Sequence, residues 1–146
     1  MTPSTPHELG RIDQITLADT PALSRDVHLD TDAIQDGWPS FEASFDSLQG
    51  RKMMGLIYGG DDVYRMATIR LDRDHDNPLG YAETVIPGGA YLRLRLRGTA
   101  PGVYDQIAAA FETLFARADH DPSRPHIEYY RREGEVDCLV PIAHAR

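Results

Sequence analysis

A single cysteine, Cys138, is all the chain carries, so an internal disulfide is excluded and a reducing compartment follows. No apolar run approaches the roughly 20 residues that a membrane-spanning helix needs. The opening residues, MTPSTPHELGR, lack the basic and apolar blocks of a signal peptide. The expectation is a cytoplasmic domain preceded by a loose tail over residues 1–11, with no membrane as partner. Positive charge is also scarce: 15 Lys and Arg stand against 23 Asp and Glu, for a net charge of −8. Phosphate backbones are held by clustered cations, so the balance argues against direct nucleic-acid binding and favours a cationic partner at long range.

The motifs of several enzyme classes are missing as well. There is no G-x-G-x-x-G or P-loop run and no G-x-S-x-G elbow. The six histidines are scattered, with no H-E-x-x-H or cysteine-rich spacing that would hold a catalytic zinc. Neither a cofactor nor a metal is expected. One segment, DRDHDNPLGYAE, puts Asp72, Asp74, Asp76 and Glu83 at positions one, three, five and twelve of a calcium loop. Asn77 stands where that loop needs glycine, and the flanks read as strands rather than helices. The segment is therefore expected to be a solvated linker that binds no calcium. Cys138 alternates with Val136 and Val140 and reads as a small buried hydrophobe.

What is present is a 146-residue chain of a size suited to one domain. QITLADTPALSRDVHL contains two extended pieces around Thr20-Pro21. In DTDAIQDGWPSFEASFDSLQGR, the residues Ile34, Trp38, Phe41, Phe45 and Leu48 recur at the three- and four-residue spacing of one helical face. Thr31 or Asp32 is placed to start that helix and Gly50 to stop it, with a kink or late start expected at Pro39. KMMGLIYGGDDVYRMATIRL reads as two strands joined by a Gly-Gly-Asp-Asp turn.

The second half repeats this order. VIPGGAYLRLRLRG alternates Leu92, Leu94 and Leu96 with Arg93, Arg95 and Arg97, the pattern of a sheet with one buried and one wet face. TAPGVYDQIAAAFETLFARA is an amphipathic helix carrying Tyr104, Ile107, Ala108, Phe111, Leu114 and Phe115 inward, with Thr99 as candidate cap. A closing hairpin, RPHIEYYRREGEVDCLVPI, follows. The halves match at Thr20-Pro21 and Ile86-Pro87, Trp38 and Tyr104, Phe45 and Phe111, and Leu48 and Leu114. The fold class expected is α+β: duplicated β-α-β-β units, about 12–72 and 81–143, with an antiparallel sheet, both helices on one face and a cleft between the repeats.

The stretches VIPGGAYLRLRLRGTAPGVYDQIAAAFETLF, IEYY and DCLVPI, with Trp38 in the first helix, resemble the GyrI-like family of bacterial effector-binding domains. The resemblance spans roughly residues 10 to 144 and is carried mainly by the second half. It implies an aromatic-lined cavity at the repeat interface with one Glu near its floor. Carried over residue by residue, it puts Glu128 and Tyr130 inside and Trp38 on the wall. Phe41, Tyr58, Tyr104 and Phe111 join as candidate ligand contacts by extension across the repeat and along the helix faces. Alternation alone reads otherwise, burying Ile127 and Tyr129 and leaving His126, Glu128 and Tyr130 outside.

Three functions compete at this point. The leading one is a stand-alone binding domain for a small lipophilic molecule, in particular a cation, stacked on aromatic faces beside a carboxylate. The second is hydrolysis of a reactive small molecule, with Glu128 as base and Tyr130 as donor. The third is a protein inhibitor whose acidic surface engages a basic partner such as DNA gyrase. A transcription role by itself is not expected, because no helix-turn-helix segment precedes the domain.

Overall fold

The computed structural model describes residues 9–143. Eight strands form one antiparallel sheet: β1 (Arg11–Leu17), β2 (Thr20–His28), β3 (Met53–Ile57), β4 (Val63–Ile69), β5 (Ala82–Ile86), β6 (Gly89–Arg97), β7 (His126–Arg132) and β8 (Glu135–Pro141). Helix α1 (Thr31–Ala43) follows β2, and α2 (Ile107–Arg117) follows β6. The expected fold class holds, with one addition: each unit carries an extra leading strand, so the order is β-β-α-β-β twice.

The strands lie in the order β1-β6-β8-β7-β3-β4-β2-β5. Exchange each strand for its counterpart in the other unit and the order reads the same from the opposite end. The two units are thus related by a pseudo-twofold axis at the β3–β7 pairing. The leading strands are exchanged between units: β1 pairs with β6, and β5 with β2. These ladders make Ala18–Asp19 the counterpart of Pro87–Gly88, because each pair joins a leading strand to the next. The expected match of Thr20-Pro21 with Ile86-Pro87 is therefore out of register. Gly88 N–H donates to Asp19 Oδ1 at 2.6 Å, so the two corners touch.

Both helices lie on one face. Helix α1 packs Phe41 with Leu23, Met53, Tyr64 and Met66, while α2 packs Ala110, Phe111 and Leu114 with Leu94, Val136, Cys138 and Val140. Met53 and Tyr130 are directly paired across β3 and β7, which joins the two clusters on the same side. The opposite face is also dry. There Ile15 and Leu17 of β1 and Ile86 of β5, from the two ends of the sheet, pack in one cluster with Leu56, Ile127 and Leu139 of the central strands. The sheet curls until its ends cover its own middle. Hence alternation in a central strand here separates two buried faces, not a buried face from a wet one.

Several local expectations are corrected. Helix α1 is capped by Asp30, whose Oδ1 accepts from the Ala33 N–H at 2.8 Å, rather than by Thr31 or Asp32. It runs through Pro39 without a break and ends at Ala43, well before Gly50. Phe45 is buried from the following loop, and Leu48 is 45% exposed. A 3-10 turn, Gly102–Gln106, leads into α2, and Thr99 makes no side-chain cap. By burial, Gly37 and Phe41 in α1 have the spacing of Ala110 and Leu114 in α2, which matches Trp38 with Phe111 rather than with Tyr104. Within the expected tail, Leu9 packs against the α2 cluster and Arg11 opens β1; residues 1–8 of that tail lie outside the described residues.

The linker between the units is not simply solvated. Asp74 is 7% exposed and receives Arg51 Nη1 and Nη2 at 2.7 Å each and the Leu71 N–H at 2.9 Å. Arg93 and Arg95, expected on a wet face, pair instead with Asp13 and Asp137. Among the described residues no helix is long and apolar enough to cross a membrane.

Candidate functional site

Glu128 is the third residue of β7, and Gly55 is the third of β3; the two are paired directly across the central ladder. They are therefore pseudo-equivalent positions on the axis, one occupied by a carboxylate and the other by no side chain. Glu128 alternates with His126 and Tyr130, so it points to the helix-bearing face. The Tyr64 hydroxyl donates to Glu128 Oε1 at 2.6 Å, and the Tyr130 hydroxyl donates to the same oxygen at 2.8 Å. Trp38 Nε1–H donates in turn to Tyr64 Oη at 3.2 Å. Three residues from α1, β4 and β7 thus converge on one carboxyl group.

Gly55 makes this possible. A Cβ there would stand well inside contact distance of the Tyr64 Oη and Cζ atoms. Tyr64 lies over the glycine on its way to Glu128, a close approach that glycine inside a strand permits. Tyr64 is 1% exposed, whereas Glu128, Trp38, Tyr104 and Tyr130 keep intermediate exposure.

Burial pushes the Glu128 carboxyl above its ordinary range, and the two phenol hydrogen bonds only partly offset this. Among the described residues no cation neutralises it. Burial, and then the neighbouring carboxylate, push the Tyr64 and Tyr130 hydroxyls up as well, so both stay donors. Cys138, opposite Glu128 on β8, is fully buried. Its thiol is pushed up by burial and then by Glu128, which keeps it protonated and unreactive.

The rings around this carboxyl pack edge to face. Trp38 lies 5.6 Å from Tyr130 and 6.2 Å from Tyr64, centroid to centroid. Tyr104, held by the Gly134 N–H donating to its Oη at 3.3 Å, reaches Tyr130 from the α2 side at 6.2 Å. Trp38 and Tyr104 therefore flank Tyr130 from the two sides. A surface depression of about 480 Å³ lies elsewhere, bordered by Thr20, Pro21, Arg70 and His75.

Of the residues singled out from the sequence, Trp38, Tyr104, Glu128 and Tyr130 come together. Phe41 backs Trp38 at 6.1 Å but has no exposed surface. Phe111 packs on His126 at 4.7 Å, farther along β7. Tyr58 does not join them; it sits in the cluster on the other sheet face, under Arg65. Tyr64 was missed. Its signal lay in VYRMATI, where Tyr64, Met66 and Thr68 share a face, and in the glycine inside KMMGLI, which marks a place where something crosses close.

No protein-family model matches the sequence, and no curated protein does. Among solved structures, the chain is similar to an integron cassette protein from Vibrio cholerae, at TM-score 0.70 and 14% identity over 91% of this chain and 95% of that one. It is similar to SAV2435, solved bound to tetraphenylphosphonium, at TM-score 0.64 and 14% identity over 90% and 93%. The EcmrR C-terminal domain aligns at TM-score 0.62 and 9% identity over 94% and 99%. These likenesses establish a shared fold, one that the ligand-bound SAV2435 and the EcmrR C-terminal domain also use.

Proposed function

We propose that the chain is a GyrI-like small-molecule-binding domain that takes lipophilic cations, with Glu128 as counter-charge and the rings of Trp38, Tyr104 and Tyr130 as apolar contacts. The observation that carries the reading is a carboxyl group on the axis of a duplicated fold, ringed by aromatics and, among the described residues, without a cation of its own. Such a group is costly to ionise alone, and a bound cation over ring faces removes that cost. The tetraphenylphosphonium held by SAV2435 supports the ligand class by analogy of fold. A hydrolytic reading would draw on the same carboxylate; turnover of a reactive small molecule that disappears in Glu128→Gln would move the assignment to that class.

Trp38 is the single tryptophan, so its fluorescence reports on the site. Titration with tetraphenylphosphonium is expected to change the emission saturably, with affinity rising as pH rises. The sign follows from the raised Glu128: below its titration range the ligand must displace a proton, at a cost of about tenfold in affinity per pH unit. The same raised value means that folding stability falls as pH climbs from the unfolded carboxyl's range to that of the folded one. The other groups facing this site stay neutral there, since Tyr64, Tyr130 and Cys138 are pushed up and His126 is lowered to about 4, chiefly by burial. Affinity that does not change with pH would remove Glu128 from the role of counter-charge.

A further inference from the structure

The hydrogen bonds on Glu128 are one-sided. Tyr64 and Tyr130 both donate to Oε1, and among the described residues no protein group donates to Oε2. A carboxylate offers lone-pair positions on both oxygens, so half of its capacity is unfilled. Glu128 retains some exposure, which makes Oε2 the oxygen that an incoming molecule meets. The two donors, one from β4 and one from its own strand, occupy Oε1. Trp38 and Tyr130 pack edge to face 5.6 Å apart and both keep intermediate exposure, so partly open aromatic surface lies in the same cluster as this carboxyl group.

A permanently charged onium ion satisfies the charge of such a group but fills no lone pair, because it has no hydrogen on its charged atom. A protonated amine does both, through a charge-assisted N–H···O bond of the strong class. We propose that this site selects protonated amines that carry an N–H over onium cations that lack one, because Oε2 is the acceptor position the protein leaves open. The inference rests on the proposed cation-binding reading and sharpens it to a ligand class: tertiary or less substituted amines with an aromatic body.

The test is a matched pair of probes, N,N-dimethyl-1-naphthylmethylamine, protonated at neutral pH, and its N-methylated quaternary salt, titrated calorimetrically into the full chain at pH 7.5. The amine is expected to bind about tenfold more tightly, on the scale of one charge-assisted hydrogen bond. In Glu128→Gln, with folding checked by circular dichroism, the ratio is expected to collapse to about twofold or less. Tyr130→Phe leaves Oε2 untouched and should weaken both probes while preserving their ratio. Equal affinities in the wild type, or tighter binding of the quaternary salt, would overturn the selectivity while leaving the cation-binding reading standing. Binding of neither probe would sink that reading, and this proposal with it.

Discussion

Asp74→Asn is expected to cost the protein about 3–5 kcal/mol of folding stability, the scale of breaking a buried ion pair from one side. Arg51 and Asp74 meet through two 2.7 Å contacts with side-chain exposures of 5% and 9%. The guanidinium also lies 4.2 Å from the centroid of Phe45. An asparagine would leave that positive charge under the loop with no anion. In thermal unfolding the loss corresponds to roughly 10–16 °C in Tm for a domain of this size. The pH dependence gives a second signature. Hydrogen bonds from Arg51 hold Asp74 down at about 2, against an ordinary 3.8. Its stabilisation is therefore complete above the unfolded value and lost as pH falls toward 2, an effect on the order of 2 kcal/mol. The variant should lack that part of the acid transition. Asp76→Asn, at a side chain 88% exposed, should change stability by less than about 0.5 kcal/mol; equal effects at the two positions would show that the Arg51 pairing does not matter.

Gly55→Ala is expected to damage fold and site together. The new methyl would occupy the space of the Tyr64 phenol, which is buried and cannot swing freely to water. Displacing it strands Glu128 without one of its two donors and removes the acceptor of Trp38 Nε1–H. Overpacking and a lost buried hydrogen bond together amount to about 2–4 kcal/mol. Ligand binding should fall with it, and the emission of Trp38 should shift before any ligand is added. Gly59→Ala is the matched control, since an added Cβ there meets nothing within 4 Å. A stable Gly55→Ala protein with unaltered Trp38 emission would mean that Tyr64 does not cross the glycine as described.

The frame was legible where periodicity is long and strong. Leu92, Leu94 and Leu96 turn toward α2, as the alternation required, and the doubled order of elements reflects a real pseudo-twofold. In β7 alternation separated the faces correctly, with Ile127 and Tyr129 on one side and His126, Glu128 and Tyr130 on the other. The error lay in equating the second side with water. Whether a strand's polar face is wet depends on how the sheet curls and where the helices land, and neither is written in seven residues. The resemblance supplied the direction that alternation could not. Tyr64 escaped because its partner, Glu128, lies 64 residues away and the enabling feature is an absent side chain at Gly55. Tyr58 was misplaced because lying on the strand related to IEYY does not fix its face: it shares parity with Met54 and Leu56 and turns with them to the other side of the sheet. Arg51 and Asp74 are a similar case: nothing local in DRDHDNP distinguishes the buried aspartate from its exposed neighbours.

The central claim is that Glu128 supplies the counter-charge for a bound cation, and a paired titration of the wild type and Glu128→Gln with tetraphenylphosphonium tests it most directly. Glutamine keeps the shape and removes the charge, so the variant should fold, with Tm unchanged or raised. Its affinity should fall by about 1–3 kcal/mol, roughly 5- to 150-fold, the scale of a charge-assisted contact. Equal affinity in the two proteins would contradict the account, because the carboxylate on the axis would then contribute nothing to holding the cation.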